Sequence, residues 1–205
     1  MGQSELKIGE GIFVIPKVVE WVEKLVEDNR SKAVCASSLG FSRINDLFPS
    51  DFLSKVRVVA VDGITPWPPL VEMGLTEFIK RDKHRIEYPA RGVVFKDMVF
   101  IVKRHIRLEH LLFHELVHVV QWEKLGAYRF MIAYCEGFYN YRYQGNPLER
   151  ISYDLQNKFR NDNVPDNFIE CIESDAAAIW NGIEPKIQGL KNSGKFSFLQ
   201  DLKPL

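Results

Sequence analysis

Cysteine and net charge are both scarce in this chain, and each shortage removes a class of function. Cysteine occurs three times in 205 residues, as Cys35, Cys135 and Cys171. The number is odd and no CxxC is present, so neither a disulfide framework nor a cysteine-built metal site is expected. Free thiols of this kind point to a reducing compartment, and a cytoplasmic protein is the expectation. Lys+Arg and Asp+Glu both total 27, giving a formal net charge of zero. Without a cationic excess there is no broad basic face to displace counterions, which argues against a nucleic-acid partner. Long apolar runs are also missing. Met98 to Val102 is far below the roughly 20 residues that span a bilayer, so no membrane partner is expected. The segment MGQSELKIGEGIFVIPK lacks a basic run leading into a long apolar core, and Leu6 replaces the Ser or Thr of a myristoylation pattern.

What remains is the composition of a soluble globular domain, with 46% hydrophobic and 26% charged residues. There is no internal repeat, low-complexity tract or linker, so residues 1–205 are expected to form a single domain. Within it, residues 1–54 read as an N-terminal helix and loop region. Val18, Trp21, Val22, Leu25 and Val26 make one apolar stripe on a helix from Pro16 to Asn29. Residues 36–54 are loop-rich. Lys55 to Val61 is β-branched and short and reads as a strand, ended by ITPWPP. Val93–Phe95 and Met98–Val102 read as a hairpin about Lys96-Asp97. Helices follow at about Arg107–Lys124, stopped by Gly126, at about Ala127–Tyr141, from Pro147 with Asn146 as N-cap, and from near Pro165. The residues from about 184 to 205 read as a loosely attached tail.

Two of the five histidines lie in His114-Glu115-Leu116-Val117-His118, an HExxH inside a predicted helix. A spacing of four puts both imidazoles on one face, one turn apart. Two neutral imidazoles there can hold Zn²⁺ at about 2.0–2.1 Å. Glu115 points about 100° round the helix and can take a proton from an activated water without being a ligand. Leu111, Leu112, Phe113, Leu116, Val117, Val119 and Val120 make the helix apolar nearly all round, so its polar groups need partners.

A catalytic zinc needs a third protein ligand. His110 shares the face of His114 but is expected near the helix start, facing solvent. His84 sits in the charged run KRDKHR. The residues after His118 are VVQWEKLG, so no third histidine of the metzincin type follows. Carboxylate candidates are Glu136, Glu149, Glu170, Glu173 and Asp175. Asp175, like Glu173, could instead accept from a ligand histidine. Glu149 has two readings on local grounds: metal ligand, or the returning half of a capping box with Asn146. Gln121 can line the site or cap a carbonyl. Tyr143 and Tyr153 can donate to an oxyanion, or pack as ordinary core aromatics.

The run LLFHELVHVVQWEKLG, an aromatic-rich helix and then NPLERISYDLQNKF resemble small bacterial HExxH proteins of the zinc-metallopeptidase (zincin) type. Their motifs read HELVHVxQxxxLG and NPLExxAyxL, and the resemblance covers about residues 93–159. It implies an α+β zincin-like fold, with a small sheet and edge hairpin beside a buried HExxH helix and further helices C-terminal. It further implies a gluzincin-like site in which His114, His118 and Glu149 hold Zn²⁺ and Glu115 is the general base. Ser152 stands where that pattern has Ala. Tyr153 stands where gluzincins often have Asp, with Asp154 one position on. The expected function is zinc-dependent hydrolysis of peptide bonds in a peptide or protein substrate, which would pair with the hairpin edge. The competing expectations are a closed, non-catalytic zinc domain and a protein-interaction module retaining the HExxH helix.

Overall fold

The apolar stripe after Pro16 forms helix α1 (Ile15–Asn29), with Pro16 in its first turn and Ile15, Val18, Val19, Val22 and Val26 buried. The computed structural model describes residues 12–69, 72–73, 90–194, 196–202 and 205. His84 lies outside them. The stretch expected to be loop-rich folds into short pieces: strand β1 (Val34–Cys35) and helices α2 (Ser42–Leu47) and α3 (Ser50–Lys55). Ile44, Phe48, Phe52 and Leu53 bury the apolar sides of these turns, which is why they hold a shape that propensity alone would not give.

Strand β2 (Arg57–Val61) is followed by the hairpin of β3 (Gly92–Phe95) and β4 (Met98–Val102). The sheet order is β1-β2-β4-β3. β2 runs parallel to β4, with Val59 opposite Phe100, and the outer pairs are antiparallel. All five residues of β4 are buried, as expected of a central strand covered on both faces. The two-residue turn puts Lys96 in the left-handed region at φ 59°. Lys96 bonds Glu23 at 2.9 Å and Asp97 meets Arg30 at 3.1 Å. These surface pairs orient the turn against α1 and add little energy. Among the described residues β3 is an edge strand.

Behind the sheet lies a long helical run, α4 (Glu109–Gly145), which packs on β3, β4, α1 and the two helices that follow. It breaks at Gly126 (φ 70°, ψ 166°) and Arg142 (φ 64°, ψ −177°). The two breaks fall where the sequence ends its two helices. Gly126 takes the left-handed φ at no steric cost. Arg142 does so against its Cβ. Helix α5 (Pro147–Arg160) starts as read: the Asn146 side chain accepts from Leu148 N–H at 3.2 Å. Asn146 Nδ2 donates back to the Tyr134 carbonyl at 3.1 Å. The approach is close enough that a Cβ on Gly137 would lie 2.5 Å from Asn146 Oδ1. Phe113 of α4 stacks on Phe159 of α5, and Phe168 meets Phe48 edge-on, so aromatic packing joins three helices.

Helix α6 (Phe168–Asn192) corrects the expectation of a loose tail. It continues through Pro185, burying Ile187, and the chain folds back through α7 (Ser197–Gln200) with Phe196 and Leu199 buried. The architecture is therefore α+β, with seven helices and a small mixed sheet among the described residues. Among the described residues no helix is long and apolar enough to cross a membrane.

Candidate metal centre

The first half of α4 carries the HExxH on its most buried stretch. His114, Glu115 and His118 are 4–5% exposed, so all three are held away from bulk water. Their imidazoles face one point, with ring centroids 4.9 Å apart. Glu149 enters from the first turn of α5. Its Oε2 lies 3.5 Å from His114 Nε2 and 3.4 Å from His118 Nε2. The capping-box alternative is not realised. Asn146 N–H donates to the Tyr143 carbonyl, and the Glu149 carboxylate turns inward. Oε2 is buried and has no hydrogen-bond partner among the described residues. A bare buried carboxylate oxygen is costly unless a positive group completes it. Among the described residues, His114, His118 and Glu149 form the one group of three or more such side chains able to hold a metal ion.

Neighbouring groups fix these atoms. Gln121 Nε2 donates to the Leu148 carbonyl at 3.0 Å, which leaves Oε1 facing His118 Nδ1 at 2.7 Å. An amide oxygen only accepts, so Nδ1 carries a proton and the neutral ring keeps a lone pair on Nε2. Ser152 Oγ lies 3.3 Å from the same Nδ1 and also reaches the Leu148 carbonyl. Tyr134 donates its hydroxyl to Glu149 Oε1 at 2.7 Å, leaving Oε2 free to face the histidines. Such outer contacts orient ligands and tune their basicity. Burial alone would depress the His118 pKa, but the charge and approach of Glu149, then Glu115 and Gln121, outweigh it and raise the value above 6.5. Burial likewise pushes Glu149 up, and the positive His118 with the two facing imidazoles more than reverses it, to well below the usual carboxylate range.

Glu115 lies against the edge strand. A Cβ on Gly92 would come within 2.5 Å of its Oε1, so glycine at the start of β3 makes room for the carboxylate. Two cavities open from this point and share Gly92, His114, Glu115 and Tyr143 in their walls. The Tyr143 hydroxyl is 3.3 Å from that of Tyr153, whose ring lies 4.6 Å from His114. Both tyrosines therefore stand at the rim of the centre, and Arg142, with its left-handed backbone, directs the chain into Tyr143.

The other candidate ligands lie elsewhere. Glu136 is buried but paired with Lys186 at 2.8 Å. Glu173 faces Lys124 at 3.8 Å, and Glu170 and Asp175 are exposed. His110 is half-buried in the wall of one cavity and outside the converging group. Cys135 lines the other cavity, but burial, with the nearby charge of Glu136, pushes its thiol up to about 12. It lies outside the converging group. Tyr134 is the residue that sequence reading missed: it sits in the stripe with Phe130 and Phe138, and only its hydroxyl, which needs a partner when buried, sets it apart. Gly92 gives no signal in sequence at all.

No family model matches this chain, and neither the curated proteins nor the solved structures contain a match to it.

Proposed function

We propose that the protein is a zinc-dependent peptidase of zincin type, with His114, His118 and Glu149 as metal ligands and Glu115 as general base. The observation that carries this reading is the convergence of two imidazole nitrogens on a buried carboxylate oxygen that lacks a hydrogen bond. The donor set, two nitrogens and one oxygen, suits zinc. A structural zinc site would be closed by a fourth protein ligand. Among the described residues no fourth His, Cys, Asp or Glu joins the three, which favours catalysis over the closed-domain alternative. The hydrogen bonds of Gln121, Ser152 and Tyr134 also fit a site whose ligand geometry matters.

When bound, the ion would supply Lewis acidity, lowering the pKa of a water and polarising a carbonyl. The remaining work belongs to side chains of this chain. Glu115 is beside the ligands without joining them, and its carboxylate takes the proton of the attacking water and returns it to the leaving amine. The phenols of Tyr143 and Tyr153, at the rim, are the proposed donors to the oxyanion. β3 offers an edge to which an extended peptide can add as a strand. Burial of His114, Glu115, His118 and Glu149 excludes bulk water and strengthens each of these interactions. The reading includes a cytoplasmic location, where the three free thiols stay reduced.

Metal analysis and peptide hydrolysis together test the proposal. Purified chain should carry one equivalent of zinc, and Glu149→Ala should lose it. Glu115→Gln should keep the zinc and lose hydrolysis. Stoichiometric zinc with unchanged function in Glu115→Gln would instead mark a non-catalytic domain.

A further inference from the structure

The two cavities that meet at the candidate metal centre differ in chemistry: the first is almost wholly apolar, the second mixes polar side chains with Leu108 and Leu111. The first has Val18, Phe95, Trp122 and Phe130 in its wall. The other, of about 420 Å³, is lined by Arg91, His110, Gln144, Gln156 and Arg160 beyond the four shared residues. Arg91 immediately precedes β3 and Arg160 ends α5, so two distant segments bring guanidiniums to one space. Neither has an acidic partner among the described residues. The acid just beyond Arg160, Asp162, is already paired with Arg43 at 2.5 Å. Burial, then the positive charges of Arg160 and Arg91, hold His110 below its ordinary value, so both cations act on the same region. Among the described residues the one carboxylate in this wall is Glu115, which the peptidase reading assigns to proton transfer.

Both guanidiniums are exposed, and with no acid paired to them among the described residues they can give charge-assisted, bidentate hydrogen bonds to a carboxylate. We infer that this cavity binds a carboxylate of the substrate on one side of the scissile bond, while the apolar cavity takes a bulky side chain on the other. The carboxylate can come from an acidic side chain or from the peptide's own C-terminus. The inference rests on the peptidase reading for what the ligand is, and its binding test is independent of turnover.

Labelled peptides with Phe on one side of a central bond would be titrated, by fluorescence anisotropy, against Glu115→Gln chain at saturating zinc. On the other side they carry Glu, Gln, a free C-terminus or an amidated one. The expected result is binding of a carboxylate peptide about tenfold tighter than its neutral isostere. R91Q/R160Q should reduce that preference to less than about twofold, and R91K/R160K should keep part of it. The pair that shows the preference identifies the source of the carboxylate. Equal affinities, no binding of any peptide, or a preference that survives R91Q/R160Q at an unchanged Tm would overturn the inference. Hydrolysis of the same peptides by wild-type chain scores the peptidase reading separately. Binding with charge preference but no cleavage removes that reading alone, and cleavage without charge preference removes this inference alone.

Discussion

Gly92→Ala isolates the position of the proposed general base from everything else in the site. The φ of Gly92 is not in the left-handed region, so alanine suits the backbone and only space is at issue. The added Cβ would lie 2.5 Å from Glu115 Oε1, about 0.9 Å short of the 3.4 Å at which ordinary contact begins. The Glu115 carboxylate, at the end of a flexible side chain, is the group that yields. A displacement near 1 Å at a reacting group costs on the order of 10²-fold in rate. Losing the base entirely, as in Glu115→Gln, sets a floor about 10²–10⁴-fold down. The three atoms nearest an added Cβ all belong to Glu115 and none to the proposed metal ligands, so zinc content should stay at one equivalent. Crowding should lower stability by about 1 kcal/mol, a shift of about 2–4 °C in a chain of this size. The assay is hydrolysis of a quenched fluorescent peptide under zinc saturation, read beside metal stoichiometry and Tm. A fully loaded Gly92→Ala protein with a wild-type kcat would refute the reasoning, because Glu115 would then not need the place the structure gives it.

Tyr134→Phe removes the hydroxyl that orients Glu149 and should weaken zinc binding about 10–100-fold, measured by chelator competition; unchanged affinity would show that the carboxylate orients itself. Gly137→Ala drives a Cβ into Asn146 and Pro147 and should destabilise the chain by about 1–3 kcal/mol. Chemical denaturation would read that loss, and a wild-type midpoint would mean that the α4–α5 junction is loosely packed. Zinc-free protein should show a specific pH profile. His118 sits above its ordinary 6.5, so its contribution is complete below pH 6.5 and disappears as pH rises through the folded value. Glu149 sits well below 4.5, so its contribution is complete above pH 4.5 and disappears as pH falls through the folded value. This pair therefore favours the window between, with Tm dropping on the alkaline side. Zinc competes with a proton for His118 Nε2 and should turn that alkaline drop into a rise. Parallel thermal scans with and without zinc test this; an alkaline limb unaffected by the metal would contradict it.

Most of the elements were legible because periodicity and stop signals agree along the chain. The Val18–Val26 stripe, the KVRVVAV strand, the hairpin about Lys96-Asp97 and the break at Gly126 all occur where local chemistry puts them. The short helices of residues 42–55 were not legible, since packing of Phe48 and Leu53 rather than propensity makes them. The stretch beyond Glu184 misleads for a related reason: Ile187, Phe196 and Leu199 are too widely spaced in a polar background to signal a docked segment. In the candidate site, His114, Glu115 and His118 follow from helical spacing alone. Glu149 was ambiguous on local grounds, because Asn146-Pro147-Leu148-Glu149 reads equally well as a cap, and only the resemblance of NPLERISYDL to a zincin motif favoured the ligand reading. Tyr134 and Gly92 depend on contacts between segments that no spacing encodes.

The centre's supporting contacts all link near neighbours in the chain. Tyr134 and Glu149 are 15 residues apart, Gln121 and Leu148 are 27, and His118 and Ser152 are 34. Loops this short close at modest entropic cost. The helical hairpin of α4 and α5, whose own turns are local, can bring the proposed ligands together before the parallel pairing of β2 with β4, whose partners are 41 residues apart, is complete. A cation captured at that stage would act as a cross-link during folding as well as a cofactor afterwards. Refolding should then quicken when zinc is present from the start, and amides of Leu116 to Val120 should be among the first protected from hydrogen exchange.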